Sequence, residues 1–127
     1  MRLIVDGMNV IGSRPDHWWR DRAGARRRLV SEIATLYQAT TDDVTVVFDG
    51  SPEPDEADAA EAAGVTALFA PGGPNAADHA IVRLLQSLED PSDVTVVTSD
   101  AQLAAAVRRA GASVEGARGF RRHLEGS

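Results

Sequence analysis

The chain has 127 residues, 43% hydrophobic and 25% charged, which fits one globular domain able to bury a core without staples. It contains no cysteine and no lysine, so disulfide scaffolds, thiol catalysis, cysteine-ligated zinc, Walker A nucleotide binding and Schiff-base chemistry are all excluded. A net charge of −6 argues against a wholly basic nucleic-acid binder, and the lack of a signal peptide or of any apolar run near ~18–20 residues leads us to expect a cytoplasmic protein.

Residues 2–5 (RLIV) form a short apolar run ending at Asp6, long enough for a buried strand. A helix is expected over about 21–38, where Leu29, Ile33, Leu36 and Tyr37 recur at helical spacing. Residues 44–48 (VTVVF) read as a second strand, the acidic stretch around 57–63 as a short helix, and 65–69 (VTALF) as another strand. Pro71-Gly72-Gly73-Pro74 is the clearest loop. A helix over about 76–89 carries Ile81, Leu84, Leu85 and Leu88 on one stripe, and residues 94–98 (VTVVT) form the next strand. A weaker helix over 101–110, closed by Gly111, leads to a short strand at 112–114. Near-continuous apolar strands alternating with amphipathic helices predict an α/β domain, a mostly parallel sheet of about five strands with helices on both faces.

In such sheets ligands bind beyond the carboxyl ends of the strands. Asp6, Asp49 and Asp100 lie there, and Asp78 opens the following helix in line with the stripe of Ile81, Leu85 and Leu88. Carboxylates crowded at one edge repel each other unless a cation offsets them, and no lysine is available. Mg²⁺ or Mn²⁺, with their preference for oxygen ligands, would suit the cluster and could activate water against a phosphodiester. Asp6, Asp78 and Asp100 are the expected metal ligands, with Asp49 completing the acidic rim. Three of the acids also have a plainer role open to them: Asp100 as a helix N-cap, Asp78 as a complement to a helix dipole, Asp49 as the opening of an Asp-Gly turn, whereas Asp6, between a buried strand and Gly7, has no capping role. Rival α/β chemistries fail on residues. A haloacid-dehalogenase-type phosphatase needs an acid where Met8 stands, and residues 7–12 do not supply a dinucleotide fingerprint.

The run from Leu3 to Gly12 (LIVDGMNVIG) resembles the opening signature of YacP-like NYN domains, within the PIN-like nuclease superfamily. Val46-Val47-Phe48-Asp49-Gly50, Asn75-Ala76-Ala77-Asp78, Val97-Thr98-Ser99-Asp100 and Gly116-Ala117-Arg118-Gly119-Phe120 resemble its later motifs in the same order, over nearly the whole chain. The resemblance implies a PIN-like Rossmannoid sheet, divalent-metal endoribonuclease activity, and Asp6, Asp49, Asp78 and Asp100 as the acidic cluster, with Asn9 and Ser99 as supporting polar groups. In relatives a second acid often follows the third-motif aspartate, whereas here the neighbour is His79; its absence weakens a second metal position unless His79 itself takes part.

Charge is segregated along the chain. Residues 14–28 carry six arginines against two acids, residues 108–122 carry five against one, and residues 53–61 hold five acids and no base. Trp18 and Trp19 follow the first loop beside Arg14, Arg20 and Arg22, a composition suited to single-stranded RNA, and at least one of the two indoles is expected to pack as core. The expected RNA contacts are Arg14, Trp18, Arg20, Arg22, Arg118 and Arg121, while residues 26–28 read as a solvated helix face. Weak, salt-dependent binding to bulk RNA follows from the acidic total, so a larger assembly such as the ribosome is an expected partner that presents the substrate. A non-catalytic RNA- or ribosome-binding module and a small-nucleotide phosphoesterase remain alternatives.

Overall fold

β1 (Arg2–Asp6) lies at the centre of the sheet in a computed structural model that describes residues 2–73 and 75–126. In chain order it is followed by α1 (Gly7–Gly12), a 3₁₀ turn (Trp18–Arg20), α2 (Arg22–Tyr37), β2 (Asp43–Asp49), α3 (Glu56–Ala62) and β3 (Thr66–Ala70). Then come α4 (Ala76–Gln86), a second 3₁₀ turn (Pro91–Asp93), β4 (Val94–Val97), α5 (Ala101–Arg109), β5 (Ser113–Glu115) and α6 (Ala117–Glu125). The five strands are all parallel, in the order β3-β2-β1-β4-β5. The expected architecture is therefore the observed one. Of the expected loop at residues 71–74, Pro74 lies outside the described residues.

Period-two alternation divides the sheet between two cores. Leu3, Val5, Val44, Val46 and Phe48 pack with Val10 and Ile11 of α1, Leu29 and Ile33 of α2, and Phe120 and Leu124 of α6. Ile4, Val47, Val94 and Val96 pack on the other face with Ile81 and Leu85 of α4 and Leu103 and Val107 of α5. Because both faces are covered, the central strands carry near-continuous apolar runs, interrupted within β2 and β4 only by Thr45 and Thr95. The chain moves outward from β1 to β3 on one side and then returns to β4 on the other. The carboxyl ends of β1 and β4 thus flank the point where strand order reverses.

Two helices were not legible in the sequence. α1 starts directly at the end of β1, and its first residue must be Gly7, because a Cβ there would drive into the Phe48 ring. α6 shows only the stripe Ala117, Phe120 and Leu124, and its first amide is capped from elsewhere: the Ala117 N–H donates to Ser99 Oγ at 2.8 Å. The expectation of a solvated face at residues 26–28 also needs correction. Arg27 and Arg28 are exposed, but Arg26 is buried between α2 and α3, where its Nε and Nη2 grip both carboxylate oxygens of Glu56. Two stretches of opposite charge, far apart in sequence, meet through this pair.

Candidate metal centre and nucleic-acid interface

The four aspartates arrive at the same sheet edge from four separate places. Asp6 ends β1, Asp49 ends β2, Asp78 sits in the first turn of α4, and Asp100 caps α5. Asn75, in the left-handed conformation at φ 66°, turns the chain into α4 so that its first amides face Asp49. Asparagine tolerates this conformation better than most residues.

One oxygen is fixed on each of three carboxylates. Thr98 Oγ1 donates to Asp6 Oδ2 at 2.9 Å, the Ala77 N–H donates to Asp49 Oδ1 at 2.9 Å, and the Leu103 N–H donates to Asp100 Oδ1 at 2.9 Å. The second oxygen of each has no hydrogen bond among the described residues, and neither oxygen of Asp78 has one. Thr98 also accepts the Asp100 N–H at 3.1 Å, so a single hydroxyl ties the two acids that flank the switch point. The neighbouring Ser99 N–H donates to Asn9 Oδ1 at 2.7 Å, and Ser99 Oγ accepts from α6. Asn9 and Ser99 therefore brace the loop after β4 against α1 and α6. Thr98 was missed in the sequence because it reads as the last residue of a β-branched strand.

Asp6 is only 5% exposed. Burial pushes its carboxyl from an ordinary 3.8 up to about 6; the Thr98 hydroxyl opposes the rise, and Asp78, Asp49 and Asp100 each add to it. The Asp78 carboxyl is also raised, by burial and then by Asp100 and Asp49, with His79 pulling the other way. Asp6 thus feels the charge of the other three carboxylates, and Asp78 that of Asp49 and Asp100. Asp6 occupies the N-cap position of α1 without capping it, so its charge has no helical use. Asp49 accepts an amide from the first turn of α4 instead of opening a turn of its own, and Asp100 does cap α5, yet each keeps an oxygen free. His79 is exposed beside Asp78.

Among the described residues, no three acid or histidine side chains are drawn together tightly enough to cage one bare ion. The donor set fits a different arrangement. Mg²⁺ and Mn²⁺ retain water and need only one or two protein carboxylates. The hard, unpartnered oxygens of Asp6, Asp78 and Asp100 on an acid-rich rim meet that requirement.

This architecture and motif order match the YacP-like NYN domain over residues 3–127. The chain belongs to the YacP-like NYN family. Among solved structures, this NYN domain is similar to Rae1 (YacP) from Bacillus subtilis, with 30% identity and a TM-score of 0.79 over 99% of this chain and 74% of that one. A W164L mutant of the same Bacillus subtilis protein gives 28% identity and a TM-score of 0.76, covering 99% and 75%. No curated protein matches. NYN domains are nuclease-like members of the PIN-like group.

The expected RNA contacts are placed unevenly. Arg14 is buried, with a side chain only 4% exposed that pairs with Glu32 at 2.7 Å, and Arg121 is half-buried with Nη1 donating to the Ser13 carbonyl at 2.7 Å. Both are committed to holding the end of α1 in place. Arg20, Arg22 and Arg118 are exposed. Trp18 is half-buried against the core with the Arg22 guanidinium 5.2 Å from its ring centre, and the exposed indole is its neighbour, Trp19. A cavity of about 420 Å³ between α2 and α3, lined by Phe48, Phe69 and several alanines, lies away from the acids. Among the described residues no helix is long and apolar enough to cross a membrane.

Proposed function

We propose that this NYN domain is a divalent-metal-dependent endoribonuclease that cleaves single-stranded RNA. The observation that carries the reading is the convergence of Asp6, Asp49, Asp78 and Asp100, from four elements, on the strand-order switch point with oxygens left unpartnered. Asp6, Asp78 and Asp100 would hold Mg²⁺ or Mn²⁺, and Asp49 would complete the rim. When bound, the cation would activate water and offset charge on the leaving oxygen. The chain's own contribution is orientation: Thr98 fixes one oxygen of Asp6 and the backbone of Asp100, so both acids present their free oxygens without rotating.

A labelled single-stranded RNA incubated with and without Mn²⁺, beside the Asp6→Asn variant, tests the reading. Cleavage that needs the metal and is lost in the variant supports it. Binding of RNA without cleavage, at any divalent concentration, favours a non-catalytic module of the same fold. The acidic body, at net charge −6, argues for a substrate presented by a larger assembly such as the ribosome. Co-sedimentation with ribosomes at low salt is the expected outcome.

A further inference from the structure

Trp19 is 53% exposed, the largest apolar side chain that the described surface leaves open. Its indole is held in place. Trp18 meets it edge-to-face with ring centres 5.9 Å apart and planes at 85°, and His17 does so from 5.2 Å at 78°. Trp18 is anchored in turn: it packs on the core and lies under Arg22. The turn that presents the ring is strained, because His17 adopts φ 56° in the left-handed region, which a residue with a Cβ seldom occupies. An exposed aromatic that is braced on two sides loses little side-chain freedom when a flat partner stacks on it.

The charges around it favour an anion. Arg20 and Arg22 are exposed and have no carboxylate partner among the described residues, unlike Arg28, which Asp16 holds at 2.9 Å. On a body of net charge −6, Arg20 and Arg22 place two exposed guanidinium groups next to the Trp18–Trp19 pair in the chain, with Asp21, which caps α2, between them. Bases stack on aromatic rings while guanidinium groups take the phosphates, and only unpaired bases present a free face. The Trp18 ring lies near Gly12, 4.0 Å from where a Cβ on that glycine would stand; Gly12 ends α1, whose first residue follows Asp6. α1, six residues and about 9 Å long, runs between the glycine nearest Trp18 and the Asp6 end of β1.

We propose that Trp19, with Arg20 and Arg22, forms a stacking subsite for a base of single-stranded RNA lying a few nucleotides from the acidic edge. The subsite rests on the nuclease reading for its purpose but not for its test. An oligouridylate of about ten nucleotides, fluorescently labelled, is titrated in EDTA with wild type, Trp19→Ala, Trp19→Phe and Arg20→Ala. Trp19→Ala should weaken binding by roughly tenfold or more, and Trp19→Phe should retain most of the affinity. Indole emission should be quenched in the wild type and much less in Trp19→Phe, whose remaining Trp18 is half-buried under Arg22. Arg20→Ala should lower the slope of log affinity against log salt by about 0.7, the loss of one single-strand phosphate contact, whereas Trp19→Ala should leave the slope unchanged. A duplex of the same length should bind wild type and Trp19→Ala alike.

Equal affinity of wild type and Trp19→Ala for the single strand, with no quenching, would overturn the subsite and leave the ring to a protein partner. Equal dependence of duplex and single strand on Trp19 would overturn it as well. Because the titration needs no metal, absence of cleavage would sink the nuclease and leave this result standing, and the reverse also holds.

Discussion

Replacing Asp6 by asparagine should stabilise the protein at neutral pH in the absence of metal, even though it removes a carboxylate of the proposed metal site. The Asp6 carboxyl stands at about 6 rather than 3.8, so the folded state holds its proton more tightly than the unfolded chain does. Its stabilising contribution is complete below pH 3.8 and is lost as pH rises through 6. At ~1.36 kcal/mol per pH unit, that loss amounts to about 3 kcal/mol by pH 7.5. Asparagine has nearly the same shape, keeps an oxygen for the Thr98 hydroxyl and carries no charge. Urea unfolding in EDTA should therefore find Asp6→Asn more stable than wild type by up to about 3 kcal/mol at pH 7.5, with the two nearly equal near pH 3.5. Saturating Mn²⁺ should close the gap from the wild-type side, since an ion at 100 times its Kd adds about 2.7 kcal/mol. An asparagine variant less stable at pH 7.5, or a difference that does not change with pH, would show that burial does not hold the Asp6 carboxyl above its ordinary range.

Three further outcomes follow from the same contacts. Thr98→Val removes the donor to Asp6 and the acceptor for the Asp100 N–H, and should cost about 1–3 kcal/mol in denaturant midpoint, with Thr98→Ser recovering most of it. Arg26→Met should cost about 3–5 kcal/mol, because it leaves the Glu56 carboxylate buried without its partner. Burial pushes Glu56 up, but the Arg26 bond and the Glu53 N–H bring it below its ordinary value, so this stabilisation should fade as pH falls below about 4.5. Gly7→Ala should cost about 1–3 kcal/mol by forcing the Phe48 ring aside, read as a lower melting temperature.

The sheet was legible because its strands are buried on both faces, which leaves β-branched runs such as Val94–Val97 with no charged position. The four acids were legible because each follows such a run or opens a helix whose stripe it continues. What escaped depended on contacts distant in sequence. α1 has six residues and no side-chain cap, and it forms because Val10 and Ile11 bury against the sheet. α6 takes its cap from Ser99, eighteen residues away, so no local signal marks its start. Arg14 looked like a phosphate contact until Glu32 of α2 was seen beside it. Likewise Trp18 and Trp19 are adjacent and identical in type, and only the packing of the 3₁₀ turn decides which one faces outward.

Whether the acidic edge takes a divalent cation is read by calorimetric titration of Mn²⁺ into the wild type, Asp6→Asn, Asp100→Asn and the exposed control Glu61→Gln. Binding in the wild type and in Glu61→Gln, lost or sharply weakened in the two aspartate variants, is the predicted result. Failure of the wild type to bind Mn²⁺, or binding indifferent to Asp6 and Asp100, would contradict it.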